Sequence, residues 1–304
     1  MNFLTQQQEV ASQLRLDLTQ SDIATIIKRW LNQAQQEIWA EADWYFALDR
    51  QIVQTVADIT TGTVSISAGG TTVTGSSTTF SASDVSKFIQ FSSSADWYKI
   101  TAVASDTSLT IEAAYTQTTA LSAGTYTIRK FFYSVDSTVD KILSARQAIS
   151  PLFLDVVHFR DFDIFRPDPT STGNPNLMFV YGLDSSNNIQ FTVYPWPDAI
   201  INIEVRYKKV ATDLSADGDV SLIPAKWHST AMLDGALYRG LRYLSNGNAD
   251  MERKAEAMRI DFKVSLRKLV EQQNIDESYH AVIQNRDVLT SPIGPSLPYK
   301  YGIS

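Results

Sequence analysis

The chain has 304 residues, of which 44% are hydrophobic and 19% charged, a formal charge of −7 and no cysteine. That length can bury a sizeable core as one large domain or two smaller ones. The composition excludes disulfides and thiolate metal sites, and the acidic balance argues against a dedicated nucleic-acid grip, which needs a basic patch.

No stretch approaches the about 20 apolar residues of a membrane span. Met1 to Val10 lacks the basic start and apolar core of a secretory signal. Thr5 and Gln8 fit a capping box that opens a short helix to about Leu14. Thr19 and Asp22 offer a second start signal. From there Ile23, Ile26, Ile27, Trp30, Leu31, Ala34 and Ile38 fall at steps of three and four, one apolar stripe on a helix. Trp39, Trp44, Tyr45 and Phe46 crowd its end, where they are expected to pack against the next element.

From Thr60 to Lys130, Ser, Thr and Gly take over and charge thins. Short β-prone runs recur at Thr63 to Ser67, Thr71 to Thr74, Lys87 to Ser92, Trp97 to Val103, Ser108 to Glu112 and Thr125 to Arg129. Gly69-Gly70 marks a tight turn. These features predict a small inserted sandwich or barrel. Residues 131–212 are again mostly strand, with a short helix expected near Val139 to Gln147. Phe179 to Tyr181, Ile189 to Tyr194 and Asn202 to Lys208 read as strands, the first two joined by a polar turn at Asp184 to Asn188.

Pro224 suits the first turn of a helix running to about Leu244, where Asn246-Gly247-Asn248 stops it. Met251, Ala255, Met258, Phe262, Leu266 and Leu269 mark a second helix, completing a helical hairpin. Its charged residues alternate in sign, which reads as a solvated face. Beyond Asn274 the pattern fades, and Pro292, Pro295 and Pro298 predict an extended end. The expected fold is therefore α+β. Segments 1–58 and 216–274 supply a helical bundle, 59–130 an inserted sandwich or barrel, 131–215 a β-rich core segment, and 275–304 an extended tail.

Motifs for chemistry are missing from the sequence. It contains no GxxxxGK[ST], HExxH or GxSxG. His158, His228 and His280 lie far apart without metal-ligand spacing. Asp161 and Asp163 could be imagined as an acid/base couple, but hydrolysis needs carboxyls at a defined separation. Trp97 and Tyr98 could suggest a sugar platform, yet neighbours on one strand face opposite ways. A structural protein without enzymatic activity, cofactor or metal is the expectation.

Three segments resemble head-to-tail adaptor, or connector, proteins of short-tailed (podovirus-type) bacteriophages. Arg29 to Ala47 is similar to their opening helix. Phe191 to Leu214, FTVYPWPDAIINIEVRYKKVATDL, resembles their strand, Tyr-Pro-x-Pro break, strand and Tyr-Lys-Lys element. Leu222 to Leu244 looks like the helix that follows. The resemblance implies a ring, usually of twelve copies, beneath the portal protein at one capsid vertex, with a helical wall and a bore that carries the genomic DNA without sequence-specific binding. It implies a virion protein assembled in the host cytoplasm, with no membrane, whose other partners are tail nozzle or tail fibre proteins.

It also implies that the C-terminal segment docks on the portal, and Leu289, Ile293, Leu297, Tyr299 and Tyr301 are its candidate anchors. A terminus without its own core would order by adding to a partner. The alternative is a tail-associated binding module whose β-insert recognises a fibre or a host-surface glycan.

Overall fold

The structure is a computed structural model that describes residues 1–148, 152–158, 160, 168 and 170–290, with side chains described through Gln273. The fold is α+β, with helices and two curled sheets. The chain forms two compact units. One comprises Met1–Ala47 and the chain from Ala211 on, and the other comprises Leu48–Val210. The changeovers therefore fall at 47/48 and 210/211, where the sequence pattern suggested 58/59 and 215/216.

In the helical unit, α1 (Phe3–Leu14) and α2 (Ser21–Glu41) precede a short 3-10 turn at Tyr45–Ala47. The cap of α1 is Asn2 rather than Thr5. Its Oδ1 accepts from the Thr5 amide at 2.9 Å, which places Thr5 inside the first turn. The expected stripe of α2 is the buried face: Ile27, Leu31, Ala34 and Ile38 are fully enclosed, and Trp30 nearly so. Each such large side chain contributes about 1.5–3 kcal/mol on burial. Trp44 is enclosed as well, and its indole N–H donates to Ile38 O at 2.6 Å.

The segment after Pro224 begins less regularly than its sequence suggests. A 3-10 turn (Ala225–Trp227) and a π-helical turn (His228–Met232) lead into α3 (Leu233–Ser245). Asn246 then takes the left-handed conformation at φ 39°, ψ 41°. Asn248 Oδ1 accepts from the amides of Asp250 and Met251, opening α4 (Ala249–Thr290). The hairpin packs on α1 and α2 through α3. Two glycines permit that approach. A Cβ at Gly240 would stand 2.3 Å from Leu14 Cδ1, and one at Gly235 would stand 2.7 Å from Ala34 Cβ.

α4 continues to Thr290, past the expected end at Asn274. The expectation of extended chain from 275 is corrected over 275–290. Fading amphipathicity ends a packed face without ending the helix, and the strongest helix breakers, Pro and Gly, do not occur between Gly247 and Pro292.

Among its described residues the second unit holds fourteen strands. The insert contributes β2 (Thr63–Ile66), β3 (Thr72–Ser76), β4 (Phe88–Phe91), β5 (Trp97–Ser105), β6 (Ser108–Ile111), β7 (Leu121–Gly124) and β8 (Tyr126–Arg129). They form an antiparallel sheet in the order β7-β2-β3-β6-β5-β4-β8. β7 and β8 lie at opposite edges, yet only Thr125 separates them, so two Cα steps (about 7.6 Å at most) must span the edges. The sheet is thus rolled into a barrel, the closed form of the expected sandwich or barrel. Its core includes Val73, Ile89, Ile100, Leu109 and Ile128.

The other sheet is ordered β1-β14-β10-β11-β12-β13-β9. Its strands are β1 (Leu48–Gln54), β9 (Tyr133–Ser134), β10 (Val139–Gln147), β11 (Phe153–His158), β12 (Leu177–Leu183), β13 (Ile189–Tyr194) and β14 (Asn202–Lys209). All neighbours are antiparallel except β11 and β12. This sheet curls too. Gln51 Oε1 on the β1 edge accepts from the Asp136 amide just beyond β9 at 3.0 Å. Val139 to Gln147, expected as helix, is a strand between β14 and β11. Two register shifts along it displace the alternation of side chains and hide its period of two.

Candidate functional site

The expected docking anchors are placed only in part. Leu289 lies on α4, with its side chain outside the described set. Ile293, Leu297, Tyr299 and Tyr301 lie outside the described residues, as do Asp161 and Asp163. No group of His, Asp and Glu able to hold a metal occurs among the described residues. No helix among them is long and apolar enough to cross a membrane. Trp97 and Tyr98 part company as alternation requires. Tyr98 enters the barrel core, while Trp97 lies under the Arg129 guanidinium at 5.1 Å and against Phe131 at 4.8 Å. Neither ring is left to stack on a sugar.

His228 sits in the π-helical turn with 1% exposure, and its Nε2–H donates to Ile223 O at 2.6 Å. Burial pushes the imidazole below its ordinary value near 6.5. Unfolded chain therefore takes up a proton that folded chain refuses. The histidine's contribution is fully present above pH 6.5 and is lost as pH falls toward the depressed folded value. Half-buried Asp234 has a raised pKa, chiefly from desolvation, and acts with the opposite sign. The difference in melting temperature between wild type and His228→Gln isolates the imidazole, and it should shrink steadily from pH 7 to pH 5. A constant difference would contradict the assignment.

Two surfaces carry unbalanced chemistry. The first is the outer face of β1, β14 and β10. The inner side of β14 buries Ile203, Val205 and Tyr207, so Glu204 and Arg206 point outward. The register sets Ile52 opposite Glu204 and Arg50 opposite Arg206, and places Leu48 on the same face. Leu48, Ile52 and Leu143 are exposed at 44%, 59% and 37%. Arg146 and Arg206 both close on Glu204, at 2.8 and 3.4 Å. The Arg146 hydrogen bond, followed by that of Arg206, holds this carboxyl below the usual range. Arg50 faces Arg206 directly, a like-charge pairing that disfavours the bare sheet. Leu48, Asp49, Arg50, Leu143, Glu204 and Arg206 line a groove of about 550 Å³. Sequence reasoning passed over this face. The only signal was the Leu48, Arg50, Ile52 alternation, in a run with too few apolar residues to stand out.

The second surface belongs to the helical unit. The segment from Ala211 to Ile223 is strapped along α2 by amide side chains. Asn32 exchanges both hydrogen bonds with the Leu214 backbone at 2.9 Å, Gln35 donates to Thr212 O at 2.8 Å, and Gln36 donates to Ala211 O at 2.9 Å. Asp219 accepts from the Ser215 and Ala216 amides at 2.8 Å, and the Ser215 bond leads in lowering its pKa. Leu214, Ser221 and Ile223 turn inward, whereas Val220 and Leu222 are exposed at 60% and 50% beside Asp213 and Asp217. The strap is thus an acidic and apolar ridge.

No enzymatic constellation emerges from this geometry among the described residues. A comparison with curated proteins gave no match. A family model described as SU10 adaptor protein matches residues 99–286, from β5 of the barrel through the hairpin and most of α4. That span covers more than half of the chain, and the chain accordingly belongs to the SU10 adaptor protein family, structural adaptors of bacteriophage virions.

Proposed function

We propose that this chain forms a ring-shaped head–tail adaptor of a short-tailed phage, seated beneath the portal at one capsid vertex. In this reading the helical unit builds the wall as a bundle shared between copies, twelve in the usual ring. The chain end docks on the portal, the far side receives nozzle or fibre proteins, and the acidic bore lets DNA slide during ejection. The protein acts by assembly rather than by catalysis.

The observation that carries the reading, beside family membership, is the length of α4. Its 42 residues span about 63 Å at 1.5 Å per residue. The 13 residues of α3 and the 21 of α2 span about 20 and 32 Å. Neither is more than about half as long as α4, and a neighbouring copy or the portal is the natural partner for the remainder.

The test is direct. Native mass spectrometry of the full chain mixed with portal rings should show a fixed number of added copies. Removing residues 286–304 should abolish the addition and leave the far-UV circular dichroism spectrum of the folded units intact. Normal docking by the truncated chain would sink the docking role of this segment.

A further inference from the structure

We propose that the cationic outer face of β1, β14 and β10 receives the acidic strap of a second copy of this chain, Asp213 to Leu222. The inference rests on the ring reading above and names the contact that would join one copy to the next.

Charge is the first argument. The chain carries 26 cationic and 33 acidic side chains, so a cationic face runs against its net charge. On that face two arginines share the carboxylate of Glu204, and Arg50 stands across from Arg206. An anion brought between Arg50 and Arg206 relieves their repulsion. The strap offers Asp217, exposed at its side chain by 59% and paired with Lys28 at 3.4 Å, with Asp213, which accepts from Gln36 at 2.9 Å, four residues before it.

Apolar pattern is the second argument. Leu48 and Ile52 are two strand positions either side of Arg50 and lie on one face. Val220 and Leu222 are exposed at 60% and 50% on either side of buried Ser221. Both surfaces therefore pair an apolar couple with an unbalanced charge, of opposite sign. The two surfaces are different patches of the same chain, which makes the contact heterologous. Repeated heterologous contacts generate a closed ring when the rotation closes.

The chain has no cysteine of its own, so each introduced thiol is the single one on its copy. Arg50→Cys and Asp217→Cys chains are prepared separately, mixed with portal rings, and oxidised mildly. A covalent dimer in the mixture, absent from either variant alone, is the expected result. The chain carrying both substitutions should give a ladder of covalent oligomers. In parallel, Arg50→Glu or Asp217→Lys should weaken association between copies on the order of tenfold, and the two reversals in one chain should restore it. Rings that form without the mixed disulfide, or with unchanged affinity after both single reversals, overturn this contact and leave the ring reading standing. A wild-type chain that adds to portals as isolated single copies overturns both.

Discussion

Replacing Phe262 with alanine is expected to cost the helical unit about 3–5 kcal/mol of stability. Phe262 is fully enclosed on α4 and lies within the core formed by α1, α2, α3 and the first half of α4. Its ring centroid is 5.8 Å from that of Tyr238. The site cannot collapse around a smaller side chain, because its walls are already at closest approach. A Cβ placed on Gly235 would meet Phe262 Cε2 at 3.0 Å and Ala34 Cβ at 2.7 Å. Backbone contact between α3 and α2 therefore props the cavity open, and the lost ring leaves a void rather than a repacked core. Denaturant titration followed by helical circular dichroism measures the loss. Phe262→Leu should cost markedly less. A cost below about 1 kcal/mol for the alanine variant would mean that the helices are not packed this tightly.

The same close approach shows what the sequence makes legible. The α2 stripe and the Met251 to Leu269 series are visible because a helix that buries one face repeats every three or four residues. Most insert strands were visible for the matching reason at period two, and Gly69 at φ 69° made the first hairpin turn readable. β10 was not visible, since each register shift exchanges its inward and outward residues. Nor was β1, whose outward Leu48, Arg50 and Ile52 mix apolar with charged side chains on the exposed face of a sheet edge. Whether Gly235 and Gly240 are weak points of α3 or close contacts is decided only by the neighbours across the interface, and these decide for contact. The cationic face was hidden for a deeper reason. Arg50, Arg146 and Arg206 come from three strands distant in sequence, and no local pattern encodes their meeting. Family resemblance reached the adaptor class through segment order, while the contact surfaces require register.

The second large effect concerns Asp58 and Arg129. Replacing Arg129 with methionine is expected to destabilise the β unit by about 3–5 kcal/mol. Arg129 ends β8 and is 7% exposed at its side chain, and Asp58 is 18% exposed. The guanidinium grips the carboxylate with two nitrogens, Nε at 2.9 Å to Oδ1 and Nη2 at 2.6 Å to Oδ2. The same cation lies over Trp97 and Phe131. Next to it, Ile59 and Ile128 exchange backbone hydrogen bonds at 3.0 and 2.8 Å, fastening the segment that enters the barrel onto β8. Methionine keeps much of the volume but strands the Asp58 charge in a half-buried place, and that uncompensated charge dominates the cost. The pair itself need not be strongly stabilising, because desolvation offsets much of its attraction. Asp58→Ala combined with Arg129→Met should therefore recover most of the stability that Arg129→Met alone loses. Thermal melting of the two single variants and the double variant closes the cycle. If the double variant loses the sum of the two single losses, the residues act independently and the ion pair is not what clasps the barrel shut.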